Sequence, residues 1–260
     1  MENKKLHLKA VVFTFIITVI TYFLINHIYI IYNNTENLKL IEKVNTEAVS
    51  ANILVVSIME QIITEHDCEC YCYTVAVTVN EQSGVIYKKE NGRYYALTAL
   101  HGIFLESDIF VLGHEQIFHT DYSQLPQAVL EYYNADYDLA VVSFYSENDY
   151  TVLSIAQKPP KYNMRVAAIG NPHDSRNIIT AGKIISRKPV PFESLDLKIL
   201  HNVAEHTAKV LHGNSGGALL NKNLEIIGIN IGSVICDLHE FRAGLAMPSD
   251  KILEFLEGAN

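Results

Sequence analysis

Ser215 stands in His212-Gly213-Asn214-Ser215-Gly216-Gly217-Ala218-Leu219-Leu220, a serine between glycines that runs at once into an apolar segment. Small neighbours let a substrate carbonyl approach the backbone, and Gly213 tolerates the backbone angles that aim two N–H groups, its own and that of Ser215, at one developing oxyanion. A hydroxyl needs a base before it attacks an acyl carbon. His101, in Tyr95-Ala96-Leu97-Thr98-Ala99-Leu100-His101-Gly102-Ile103, sits where an apolar strand yields to a small-residue turn, so its ring is free to face a crevice. Asp138, in Asn134-Ala135-Asp136-Tyr137-Asp138-Leu139-Ala140-Val141-Val142, directly precedes a buried-looking strand and is suited to accept the imidazole Nδ1–H, which leaves Nε2 to take the serine proton. Asp136 is the rival carboxylate. Each piece also has a structural reading: a glycine-rich turn, a surface or core histidine, an aspartate capping a strand.

Two β-rich halves must position these residues. Runs at 73–79, 84–87, 94–97, 109–112, 128–132 and 139–144 precede Lys158-Pro159-Pro160-Lys161, read as a linker; runs at 165–169, 178–186, 197–203, 217–220, 226–231 and 242–247 follow it. Ser249 after Pro248 is read as the N-cap of a closing helix, 249–257. The expectation is an all-β fold of two six-stranded β-barrels with a C-terminal helix, occupying 73–260: barrel one about 73–157, barrel two about 162–248, and the site in the crevice between them.

Ahead of that domain, Lys4, Lys5 and Lys9 precede 10–31, which carries no formally charged side chain. A helix of about 20 apolar residues crosses a bilayer, so 10–32 reads as a transmembrane segment with 1–9 cytoplasmic and the remainder outside; a signal peptide is the alternative. From 36 to 66 there is neither Gly nor Pro, and Leu38, Ile41, Asn45, Ala48, Asn52, Val55, Met59 and Ile62 alternate in steps of three and four. That spacing reads as a helical stalk, either a coiled coil that makes homo-oligomers or a single amphipathic helix on the domain. Cys68, Cys70 and Cys72 form a Cys-x-Cys-x-Cys cluster far from Cys236. A disulfide from Cys236 to one of the three, free thiols, and metal ligation with His66 all remain open. The net charge of −9 excludes a general nucleic-acid binder and points to protein or peptide partners.

Taken together, Thr98-Ala99-Leu100-His101-Gly102, Asp138-Leu139-Ala140-Val141 and Gly213 to Leu219 resemble the trypsin-like serine peptidases of the chymotrypsin fold, specifically the HtrA/Deg branch. Ser83-Gly84-Val85-Ile86, Ala168-Ile169-Gly170-Asn171-Pro172, the segment 226–230 and Gly244-Leu245-Ala246-Met247-Pro248-Ser249 match further segments that carry no triad residue, so the resemblance spans 75–257. It implies a serine endopeptidase, which with the segment 10–32 reads as membrane-tethered and acting on exported or misfolded proteins, with His101, Asp138 and Ser215 catalytic, Gly213 and Ser215 forming the oxyanion hole, and neither a metal nor an organic cofactor. By the family's pattern Lys209 to His212 and Ile229, Asn230 and Ile231 line the specificity pocket, Lys209 facing either inward or to solvent. His206 and His212 are read as surface histidines. Gly102 replaces an apolar residue, which would loosen packing there, and the chain ends where a PDZ domain often follows, so no PDZ domain is expected. The alternative is an inactive or switchable protease-fold binding module, a chaperone or sensor.

Overall fold

The computed structural model describes residues 2–67, 70–116, 125–173, 175–191, 199–236 and 240–259, with the side chains of 2–16 and 61–75 left aside. The chain divides into two units, Met1–Lys39 and Leu40–Asn260. In the first, helix α1 (Glu2–Glu47) exposes Tyr22, Phe23, Leu24, Ile25, Ile28 and Tyr29, each by more than half. Among the described residues no helix is long and apolar enough to cross a membrane; the side chains of 10–16, at the amino-terminal end of the apolar run 10–31, are among those left aside.

The stalk expected over 36–66 is not a single helix. α1 stops at Glu47, a 3-10 turn over Val49–Ala51 follows, and Asn52–Asp67 is strand β1. In the larger unit α1 buries Leu40 and Val44, and Ala48 just past its end continues the four-residue spacing, while Leu38 of the expected seam is 66% exposed. Past the turn, Ile53-Leu54-Val55-Val56 is buried on both faces, because β1 lies between two neighbouring strands and behind packed side chains. A chiefly β-branched run buried all round favours a central strand over an amphipathic helix. The first barrel therefore begins at Asn52 rather than at 73, and Asn52 sets no coiled-coil register: its Nδ2 donates to Asn171 Oδ1 at 3.0 Å and Asn177 Oδ1 at 2.8 Å.

Strand β2 (Cys70–Glu90) joins two expected runs in one long strand. Asn91 and Gly92, with φ of 51° and 79°, turn it tightly into β3 (Arg93–Ala99), as a two-residue hairpin requires. β4 (Asp108–Leu112), β5 (Gln127–Asn134) and β6 (Leu139–Tyr145) complete a closed barrel in the order β1-β2-β3-β6-β5-β4.

The second half contains β7 (Arg165–Gly170), β8 (Ile178–Lys183), β9 (Ala204–His206), β10 (Ala218–Leu220), β11 (Ile226–Ile235) and β12 (Phe241–Pro248), ordered β8-β7-β10-β11-β12-β9. It is a six-stranded sheet curled on itself rather than a fully laddered barrel: its edges meet through an isolated bridge between Ile184 and His206, flanked by Ile185 N–H to Glu205 O and Thr207 N–H to Lys183 O, both at 2.9 Å. The strand expected over 197–203 lies partly outside the described residues. The double-barrel, all-β expectation otherwise holds. Helix α2 covers Ser249–Glu257, but Pro248 is its N-cap; Ser249 Oγ instead donates to Lys158 O at 3.0 Å, tying α2 to the inter-barrel linker. Cys68, and the side chains of Cys70 and Cys72, lie outside the described residues, and with them the choice among disulfide, free thiols and metal ligation.

Candidate active site

Pairing of β3 with β6 aligns Ala99 with Leu139, which puts the residues just beyond both strands side by side. His101 lies on the 3-10 turn Leu100–Gly102, and Asp138 immediately precedes β6. Leu100 N–H donates to Asp138 O at 3.1 Å, His101 N–H to Asp138 Oδ1 at 2.9 Å, and His101 Nδ1 lies 2.7 Å from Asp138 Oδ2. Both carboxylate oxygens are thus committed to one residue. The Asp138 side chain is wholly buried while 28% of the His101 side chain is exposed, so the carboxylate is placed to accept Nδ1–H, the tautomer that leaves Nε2 as an acceptor.

Asp138 takes φ of 52°, a left-handed conformation that costs energy in a non-glycine residue. Its neighbour Tyr137 fastens it: the ring stacks 4.0 Å from that of His201, and the hydroxyl donates to Glu254 Oε1 of α2 at 2.8 Å. Asp136 is exposed and serves the turn instead, its N–H going to Asn134 Oδ1 and its carbonyl accepting Leu200 N–H.

Ser215 comes from the other half, on the turn that leads into β10. Gly213 and Gly216 have φ of 93° and 83°, and a Cβ at either would come within 2.6 Å of Asn171 O or 2.0 Å of Ser83 O. Glycine is required at both. The N–H groups of Asn214, Gly216 and Gly217 donate to Leu211 O, Asn230 O and Asn214 O, whereas those of Gly213 and Ser215 have no acceptor among the described residues. Planarity of the peptide explains their direction. His212 O is drawn away by His173 N–H at 3.1 Å and Asn214 O by Gly217 N–H at 3.0 Å, so the N–H at the other side of each plane turns the opposite way.

His101 and Ser215 line one cleft of about 310 Å³, together with His212, Asn214, Asn230 and Ile231. Two residues expected in its wall are not there: Lys209 is exposed between buried Ala208 and Val210, and Ile229 faces the core. His206, expected at the surface, is fully buried, because alternation along β9 turns it inward; burial pushes its pKa down to about 4, and Nε2 lies 3.1 Å from Asn230 Oδ1. Asn230 Nδ2 in turn donates to Gly217 O at 3.0 Å, so a neutral core imidazole buttresses the cleft floor. Gly102 leaves no slack either. A Cβ there would lie 1.9 Å from Gln82 Oε1, and Gln82 fills the space, its Nε2 donating to Ala99 O at 2.7 Å. Sequence alone gave no signal for Gln82 or for the inward face of His206. Among the described residues no His, Cys, Asp and Glu cluster could hold a metal ion.

The family described as "Trypsin-like peptidase domain" matches residues 82–229, more than half of the chain and inclusive of His101, Asp138 and Ser215. Mouse "Serine protease HTRA4" is 33% identical over 122 residues, covering 46% of this chain and 24% of that protein. "Periplasmic serine endoprotease DegP" of Salmonella typhimurium is 30% identical over 116 residues, 44% of this chain and 24% of that one. The chain therefore spans about a quarter of the length of these relatives. A serine endoprotease structure from Yersinia pestis superposes with a TM-score of 0.60 at 24% identity, covering 84% of this chain and 66% of the other, a likeness of fold.

Proposed function

Because this chain belongs to the trypsin-like peptidase family, we propose that it is a serine endopeptidase of the HtrA type, cleaving peptide bonds of exported or misfolded proteins outside the cytoplasm. The observation that carries the reading is His101, held by buried Asp138, opening on the same cleft as Ser215, whose turn carries two N–H groups with no acceptor among the described residues. In this reading His101 Nε2 takes the Ser215 Oγ proton as Oγ bonds to the scissile carbon. Asp138, already bonded to Nδ1–H, stabilises the imidazolium, and the N–H groups of Gly213 and Ser215 receive the oxyanion. The imidazolium then protonates the departing amine as the C–N bond breaks. Water repeats the sequence on the acyl-enzyme and frees Ser215. Among the described residues no Asp, Glu, Lys or Arg lines the cleft, which supports an uncharged substrate side chain.

The tether is part of the proposal: 10–32 crosses the membrane, 1–9 stays in the cytoplasm, and the peptidase domain lies outside. The exposed apolar side chains of α1 between Ile20 and Tyr32, following Lys4, Lys5 and Lys9, support it. A full-length chain that leaves the membrane in alkaline carbonate would overturn the tether. The activity is tested with a fluorophosphonate probe, which should label the peptide that contains Ser215 and fail to do so in Ser215→Ala. A folded wild-type chain that resists the probe overturns the reading.

A further inference from the structure

Ser83, on β2 of the first barrel, is completely buried and uses every polar atom it has. Its N–H donates to Ser215 O at 2.9 Å, and its carbonyl accepts Thr98 Oγ1–H at 2.7 Å. Asn171 N–H, a donor only, lies 2.7 Å from Ser83 Oγ, so the hydroxyl hydrogen is left for Gly213 O, also 2.7 Å away. One side chain therefore joins β2 to two segments of the other half. The space for it is built in: a Cβ on Gly216 would lie 2.0 Å from Ser83 O, one on Gly170 2.8 Å from its Oγ, and one on Gly217 3.2 Å from its Cβ.

The four successive carbonyls of the nucleophile turn each have a donor from the protein. His212 O takes His173 N–H, Gly213 O the Ser83 hydroxyl, Asn214 O Gly217 N–H, and Ser215 O the Ser83 N–H. Two of the four anchors are Ser83. They flank the two peptide planes whose N–H groups have no acceptor among the described residues, so rotation of either plane requires a neighbour that Ser83 holds to move with it. We propose that Ser83 is a positioning residue for the oxyanion-binding turn, through which the barrel that carries His101 and Asp138 also sets the donor geometry beside Ser215. The proposal rests on Ser215 being the nucleophile. Ser83 does not touch substrate.

The test uses the full chain and Ser83→Ala, which removes the hydroxyl and keeps the backbone N–H to Ser215 O. Hydrolysis of an N-acyl-valine p-nitrophenyl ester gives kcat and KM. The fluorophosphonate rate reports acylation, an N-acyl-valine boronate the affinity for a tetrahedral adduct, and thermal unfolding the integrity of the fold. Losing an oxyanion donor outright lowers kcat about 10²- to 10³-fold, so loosening the turn should lower it about 10- to 100-fold. KM should stay within about threefold, and boronate affinity and labelling rate should fall with kcat. A folded variant with kcat within about twofold of wild type overturns the proposal. So does a loss confined to KM, or boronate affinity that stays put while kcat falls. If Ser83→Ala does not fold, Ser83→Cys fills the same space with a weaker donor, and the same coupled fall, or its absence, decides. Wild-type labelling at Ser215 separates the two failures: without it the nucleophile assignment falls, and with it an unaffected variant removes only the role of Ser83.

Discussion

The buried imidazole of His206 makes stability at acid pH a measurable quantity. Burial lowers its pKa from 6.5 to about 4, the bond to Asn230 offsetting only part of that effect. A histidine whose folded pKa is depressed binds fewer protons folded than unfolded throughout the interval between the two values. Its unfavourable contribution is absent above 6.5 and grows as pH falls toward 4. Each pH unit inside the interval costs about 1.4 kcal/mol at full difference in proton uptake, and integrating from 6.5 to about pH 4.5 gives a loss of about 2 kcal/mol. Other carboxylates and histidines titrate over the same range, so the quantity to compare is wild type against His206→Gln, whose side chain is neutral throughout. The chain has 15 tyrosines and no tryptophan, and tyrosine emission in detergent therefore reports urea unfolding. Near neutrality the wild type should be the more stable of the two, because its ring fills the site beneath Asn230. By about pH 4.5 that advantage should shrink by about 2 kcal/mol. Parallel pH profiles for the two proteins would refute the assignment of a neutral, water-free imidazole at this position.

Asp138→Asn should lower kcat for the p-nitrophenyl ester about 10⁴-fold with little change in KM, since an amide facing Nδ1 favours the tautomer that protonates Nε2. Steady-state kinetics decide it, and a loss under tenfold would refute the tautomer argument. Gly216→Ala, which sets a Cβ 2.0 Å from Ser83 O at φ of 83°, should abolish fluorophosphonate labelling and lower the unfolding midpoint. Gly102→Ala should destabilise by about 1–3 kcal/mol through the clash with Gln82. In a Gln82→Ala background most of that cost should vanish in a double-mutant cycle. Lys209→Ala should leave kcat and KM within about twofold, because the side chain is exposed and outside the cleft wall.

What was legible in the sequence follows from locality. The segments around His101, Asp138 and Ser215 are short, and their order, the glycine placement and the Pro248–Ser249 helix start are written in neighbouring residues. Helix α2 accordingly begins and ends where its sequence says. Strand β1 was not legible, because Leu38 to Ile62 keeps a three-four spacing that satisfies a helix on paper. The signal that competed with it was the β-branched run Ile53-Leu54-Val55-Val56, and only burial between β2 and β4 decides in favour of the strand. His206 and Gln82 were invisible for a related reason. Each owes its role to a partner far along the chain, Asn230 or Gly102, and neither type of residue marks burial by itself.

The two barrels share an apolar cluster, Val85, Leu97 and Leu139 packing with Ala167, Ile169 and Ala218, yet a buried polar patch crosses their contact beside Ser215. In the proposed mechanism one half supplies His101 and Asp138 and the other Ser215 and its turn, so proton transfer would depend on a distance that neither half fixes alone. Apolar faces in contact resist separation yet tolerate small sliding, whereas hydrogen bonds weaken steeply with distance and angle. The seam beside Ser215 is accordingly threaded with buried polar contacts. Asn52 Nδ2 reaches Asn171 Oδ1 at 3.0 Å, Asn171 Nδ2 reaches Ile53 O at 2.8 Å, and Ser83 joins Asn171, Gly213 and Ser215. Burying these groups costs free energy that their bonds recover only when every partner is in place, which makes the network a poor source of stability and a good source of registration. The apolar cluster that the barrels share holds them together, and this short polar seam holds the His101 and Ser215 turns in register.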